Sequence, residues 1–223
     1  MTYGKTIGKK FDENGHVLRY PGNTVVAKIE SGCSAYEVML HLRQMVIDAG
    51  FEDDLILLPK DSYHMTVFRG LNDYVRKDSN WPPVLPKDTP MTKVDDHVTN
   101  AVNNAGLPGP VRMKFDYINA SPGCIEVYLL PADEEQNQIL RTFRDRAAEG
   151  VGVFFPKHDE YRFHISLAYV RVIPEGERAE EFDRMKKQMN DYISNQAEFY
   201  TGQPYMAYFD DMMRFHSKRI LRD

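Results

Sequence analysis

The chain has 223 residues, of which 42% are hydrophobic and 27% charged, enough for one large domain or two small lobes sharing a core. Its formal net charge of −5 argues against unspecific binding to long duplex DNA, because an acidic surface gains little from a polyanion. No stretch approaches the ~18 apolar residues that span a membrane, and Met1-Thr2-Tyr3-Gly4-Lys5 lacks a secretory apolar core, so a cytoplasmic protein is expected.

The chain opens on an arm or hairpin, with a turn at Asp12-Glu13-Asn14-Gly15, where Asn and Gly accept positive φ. Tyr20-Pro21-Gly22-Asn23 reads as a second turn, and the β-branched run 24–29 as a strand. Ser34 and Glu37 have capping-box spacing, opening a helix to about residue 49 that Gly50 stops. Val38, Met39, Leu42, Met45 and Val46 form its apolar stripe. Residues 55–58 and 63–68 read as buried strands. Residues 72–92, with Trp81-Pro82-Pro83 and Leu85-Pro86, read as a long inserted loop of the kind that serves as a lid. A helix at 94–105 ends at Gly106, and residues 111–118 read as a strand.

The order then repeats. Residues 124–130 are a strand, Asp133 caps a helix that stops at Gly150, and 161–170 are a strand. A helix at 177–195 follows, then closing strands at 204–209 and 214–221. Strand 24–29 lies 100 positions before 124–129, and His64 lies 100 before His164. An internal duplication of β-α-β-β-α-β type is expected, with lobes at about 20–110 and 111–221. Cys33 and Cys124 make neither a disulfide framework nor a C-x-x-C motif.

Chemistry is concentrated in H-x-[ST]. Seven histidines should give about one such match, since Ser and Thr fill roughly one position in eight. There are three: His64-Met65-Thr66, His97-Val98-Thr99 and His164-Ile165-Ser166. His97 falls in a helical stretch, where His97 and Thr99 point apart. In the other two the pair lies on a strand, so His and hydroxyl share a face ~7 Å apart. A pseudo-two-fold axis would bring both pairs to one cleft. Two imidazoles on opposite sides of a phosphorus can act as base and acid near neutral pH, and the hydroxyls can donate to the non-bridging oxygens.

The flanks Asp61-Ser62-Tyr63-His64-Met65-Thr66-Val67-Phe68-Arg69-Gly70 and Tyr161-Arg162-Phe163-His164-Ile165-Ser166-Leu167-Ala168-Tyr169 resemble the 2H phosphoesterases, which include LigT-like 2′,3′-cyclic phosphodiesterases. They are most similar to a functionally uncharacterised branch, whose Tyr20-Pro21-Gly22-Asn23-Thr24 entry is also matched. The resemblance runs from about residue 15 to 220. It implies an α+β, LigT-like fold with a central cleft between two antiparallel sheets. It also implies catalytic roles for His64, Thr66, His164 and Ser166, and hydrolysis of a cyclic or 2′-linked phosphodiester of a small nucleotide or RNA end, without metal or cofactor. RNA-end ligation and nucleotide binding without turnover are the competing readings. A zinc site from His64, His164 and His158 with Asp159 or Glu160 lacks a metal-binding spacing. Arg162 could orient the phosphate or form an ordinary surface ion pair, and Tyr63, Phe68, Tyr169 and Trp81 could stack on a base, with core or loop packing the alternative for each. Arg69 alternates away from His64 unless a bulge intervenes, which ranks it below Arg162.

Overall fold

A computed structural model describes residues 1–219. Its strands and helices, in chain order, are β1 (Gly22–Lys28), α1 (Ser34–Asp48), β2 (Leu55–Leu57), β3 (His64–Asn72), α2 (Met91–Ala105) and β4 (Arg112–Ala120), then β5 (Cys124–Pro131), α3 (Glu134–Val151), β6 (Phe163–Val170), α4 (Glu177–Ile193), β7 (Phe199–Tyr200) and β8 (Pro204–Phe209). The strands run in the order β7-β4-β5-β6-β3-β1-β8, all antiparallel, with β2 beside the far end of β6. The strands thus form one eight-stranded antiparallel sheet instead of the two expected, and its two halves meet where β3 touches β6, at the single pair Met65–Ile165.

The duplication shows in the pairing. β1–β3 in one half matches β5–β6 in the other, and each half gains an outer strand: β8 joins β1 from the far end of the chain, while β4 joins β5, its neighbour in sequence. Alternation along the strands sends Val25, Ala27, Met65, Val67, Ile165 and Leu167 into the core. Helix α2 packs on α3, and α1 on α4.

Each central strand also carries a bulge at the same place. Val25 pairs with Phe68 but Val26 with Thr66, leaving Val67 over. Ile125 pairs with Ala168 but Glu126 with Ser166, leaving Leu167 over. An extra residue reverses which face the following side chains occupy. The spare carbonyls are taken up: Arg144 Nη1 donates to Val67 O at 2.9 Å, and Leu58 N to Leu167 O at 3.1 Å.

Several local expectations change. Tyr20–Asn23 is not a turn, because β1 already starts at Gly22 and the Asn23 amide ties β1 to Leu71 N and to Asp95. Ser34 and Glu37 do not form a capping box; Cys33 occupies the N-cap and no side chain caps it. Asp133 does cap α3, accepting from Gln136 N at 2.9 Å. That helix runs through Gly150 and stops at Gly152, whose φ of 82° is left-handed. The expected strand at 214–221 is only a bridge between His216 and Tyr208, and residues 220 and 221 lie outside the described residues. Within 72–92, Asn72 still belongs to β3, Asp78–Asn80 make a short 3-10 turn, and α2 begins at Met91.

Candidate functional site

His64 and Thr66 project from β3, and His164 and Ser166 from β6, into one cavity of about 350 Å³ beside the join of the two halves. The imidazoles are held alike. Nδ1 of His64 lies 2.7 Å from Ser62 O, and Nδ1 of His164 lies 3.0 Å from Arg162 O, each two residues back. A carbonyl can only accept, so Nδ1 is the protonated nitrogen in both rings and Nε2 is left to work. The hydroxyls of Thr66 and Ser166 have no protein partner among the described residues and are free to donate to a ligand.

The surroundings of the two rings differ. His64 lies against the Phe215 ring, centroids 4.3 Å apart. Burial lowers its pKa to about 4; the Ser62 carbonyl opposes the shift, and His164 adds to it. His164 instead has a carboxylate, with Glu126 Oε1 3.5 Å from its Nε2. Asn119 Nδ2 donates to the other oxygen of Glu126 at 2.9 Å, which keeps that carboxylate in place. Cys124 also lines the cavity, but burial and then Glu126 push its thiol up to about 12, so it is no nucleophile.

Of the residues considered for substrate contact, Arg69 and Tyr169 line the cavity. The bulges explain both: each lies five positions past its histidine, and the extra residue turns it onto the histidine's face. The ranking of Arg162 above Arg69 is therefore reversed. Arg162 is exposed, faces Asp116 at 3.9 Å, and lines a neighbouring cleft with Tyr128 and Tyr161. Tyr63 is buried on the opposite face against Tyr36, and Phe68 is core against Phe143 and Phe155. Trp81 does not reach the cavity either. It is 3% exposed, donates to Leu85 O at 2.8 Å, and lies under the Arg76 guanidinium, so the 72–92 loop is anchored by its own contacts and contributes only Asn72 to the lining. His158 pairs with Asp145 at 2.8 Å and lies near Asp159; that cluster includes neither His64 nor His164. His97 and Thr99 point to Val151 O and Tyr208, as their helical position requires.

Glu126 was not among the expected site residues, although it is the one charge in the apolar run 124–130. That position, paired with Ser166, was the available signal. Lys10 lines the cavity as well, from the arm before β1, where no pattern marks it.

A family model described as 2H-phosphodiesterase, domain of unknown function (DUF1868), matches residues 10–124. The fold is shared with a conserved protein of unknown function from Agrobacterium tumefaciens, 28% identical, covering 98% of this chain and 93% of that one with a TM-score of 0.87. LigT from E. coli, in its apo form, is 9% identical over 91% of this chain and 96% of its own, with a TM-score of 0.50, a likeness of fold alone. No curated protein matches the sequence.

Proposed function

The chain belongs to the 2H phosphodiesterase family, and from that membership we propose that it hydrolyses a cyclic or 2′-linked phosphodiester of a nucleotide or RNA end by two-histidine acid–base catalysis. The observation that carries the reading is the pair of identically anchored imidazoles presenting Nε2 to one cavity, each with a free hydroxyl two residues on.

The difference in their surroundings supports one allocation of the roles. His64 stays neutral at pH 7 and is the base: its Nε2 takes a proton from water as the water oxygen bonds to phosphorus. His164 is the acid. As the bond from phosphorus to the leaving ester oxygen breaks, Nε2–H of its imidazolium passes a proton to that oxygen. Glu126 gives the imidazolium an opposite charge to face. Thr66 and Ser166 donate to the non-bridging oxygens, where negative charge grows. The product is a phosphomonoester with a free hydroxyl. These residues supply base, acid and oxyanion donors, so the scheme calls for no metal.

The test is turnover of 2′,3′-cyclic nucleotides in excess chelator. Activity should persist, and His64→Ala and His164→Ala should each lose ~10²–10⁴-fold. Turnover that disappears with the chelator, or ligand binding without turnover, sinks the scheme.

A further inference from the structure

The segment before β1 has no counterpart in the duplication, since β5 follows β4 after only residues 121–123. It is fastened to both halves. Gly4 N donates to Arg171 O and Lys5 N to Pro122 O, both at 2.9 Å, while Tyr20 N donates to Asp210 O at 2.6 Å. Between these anchors the arm crosses the cavity and lines it with Thr6, Lys10 and Tyr20.

Lys10 is the unexpected group. Its ammonium donates to Tyr169 OH at 3.2 Å and lies over the rings of Tyr169 and Tyr20, 4.7 and 5.3 Å from their centroids. Among the described residues it makes no ion pair. Burial lowers its pKa, while Cys124 and Glu126 oppose the shift. A half-buried cation with no carboxylate in contact costs folding stability, and such groups cluster where a ligand supplies a negative charge. Arg69, on β3, lines the same cavity, so two cations face it.

The cavity is half open, and its lining narrows what can bind. The arm covers one side, and Met212 and Phe215 stand on another. The cavity of about 350 Å³ is near the lower end of the roughly 300–1,000 Å³ that holds one drug-sized molecule. We infer that the arm is part of the active centre, with Lys10 holding a non-bridging oxygen, and that the substrate is a free phosphodiester of about one nucleotide rather than the end of a chain. This rests on the phosphodiesterase reading and narrows it. The rival route for a chain runs past Phe215 into a polar cleft that His64 also lines, with Lys28, Arg214 and His216.

The experiment compares the full chain with Lys10→Met, Lys10→Gln and Lys10→Arg on 2′,3′-cyclic AMP and on a short RNA ending in a 2′,3′-cyclic phosphate. The free nucleotide should be favoured by at least ~10-fold in kcat/KM, within the range that differential pocket contacts produce. Lys10→Met and Lys10→Gln should lose ~10²-fold without a lower Tm, and Lys10→Arg should recover part of the rate. Inorganic phosphate should raise the Tm of the wild type but not of Lys10→Met or Lys10→Gln. Full rates in those two variants, or an undiminished phosphate shift, remove Lys10 from the site. Equal turnover of the RNA end overturns the size limit and points to the cleft past Phe215. If the wild type turns over neither ester, the phosphodiesterase reading fails, while the phosphate shift still decides the role of Lys10.

Discussion

The two halves of the sheet share a frame and differ in what they hang on it. His64, Thr66 and Arg69 on β3 stand 100 positions before His164, Ser166 and Tyr169 on β6, and both strands bulge between the hydroxyl and the third residue. Across the neighbouring strand the likeness ends. Val26 pairs with Thr66 where Glu126 pairs with Ser166, and Lys28 pairs with His64 where Tyr128 pairs with His164. A symmetric frame turns two imidazoles to one cavity; identical surroundings would leave them interchangeable and without direction. In the proposed mechanism, the apolar cover on His64 and the carboxylate at His164 supply that direction. The matching registers of the two halves thus account for the geometry, and their differing neighbours for the proposed polarity.

The hardest test of the shared part is to remove one hydroxyl at a time. Thr66→Ala and Ser166→Ala should each lower kcat by ~10²–10³-fold, the cost of removing one oxyanion donor. Equal losses support two equivalent donors; a full rate in either variant breaks the symmetry at the oxygen atoms. A smaller effect sharpens the contrast between the halves. Glu126→Gln should reduce kcat about 10-fold, at the weak end of what a poorly set general acid costs. It should also lower KM, because a carboxylate no longer faces an anionic diester. Opposed movements of kcat and KM separate this role from loss of fold, which would reduce active enzyme without improving affinity. An unchanged kcat would leave Glu126 without a part in catalysis.

These tests also mark what was legible in the sequence. A period-2 strand places residues i and i+2 together whatever lies around it, so both His/hydroxyl pairs could be found from spacing alone. A bulge is a relation between two strands, and Val67 is surplus only because Val25 and Val26 pair around it. Arg69 therefore carried the wrong face until the partner strand was known. Glu126 was visible as a residue but gained its meaning from Ser166 beyond it and from Asn119 on β4. Lys10 comes from outside the repeat and has no periodic signature. Trp81 could either stack on a base or pack in its loop, and spacing does not choose; its N–H found Leu85 O and its ring found Arg76, closing the loop on itself.

The smallest expected change carries the most about polarity. A general base works only when unprotonated, so activity falls as pH drops through the base's own pKa. An exposed histidine would lose half its competent form near pH 6.5. His64, held down to about 4 by burial and by His164, should remain mostly neutral far below that. With a single proton at this ring, going from pH 7 to pH 5 should reduce kcat/KM by less than about twofold, and half should be lost only near pH 4. Phe215 forms part of the cover on this ring. Phe215→Ala lets water reach the imidazole, so the acid limb should move up toward 6.5 while the wild-type limb stays low. A wild-type limb already near 6.5, on enzyme shown to be folded across the range, would mean that the cover on His64 does not lower its pKa and does not set it as the base.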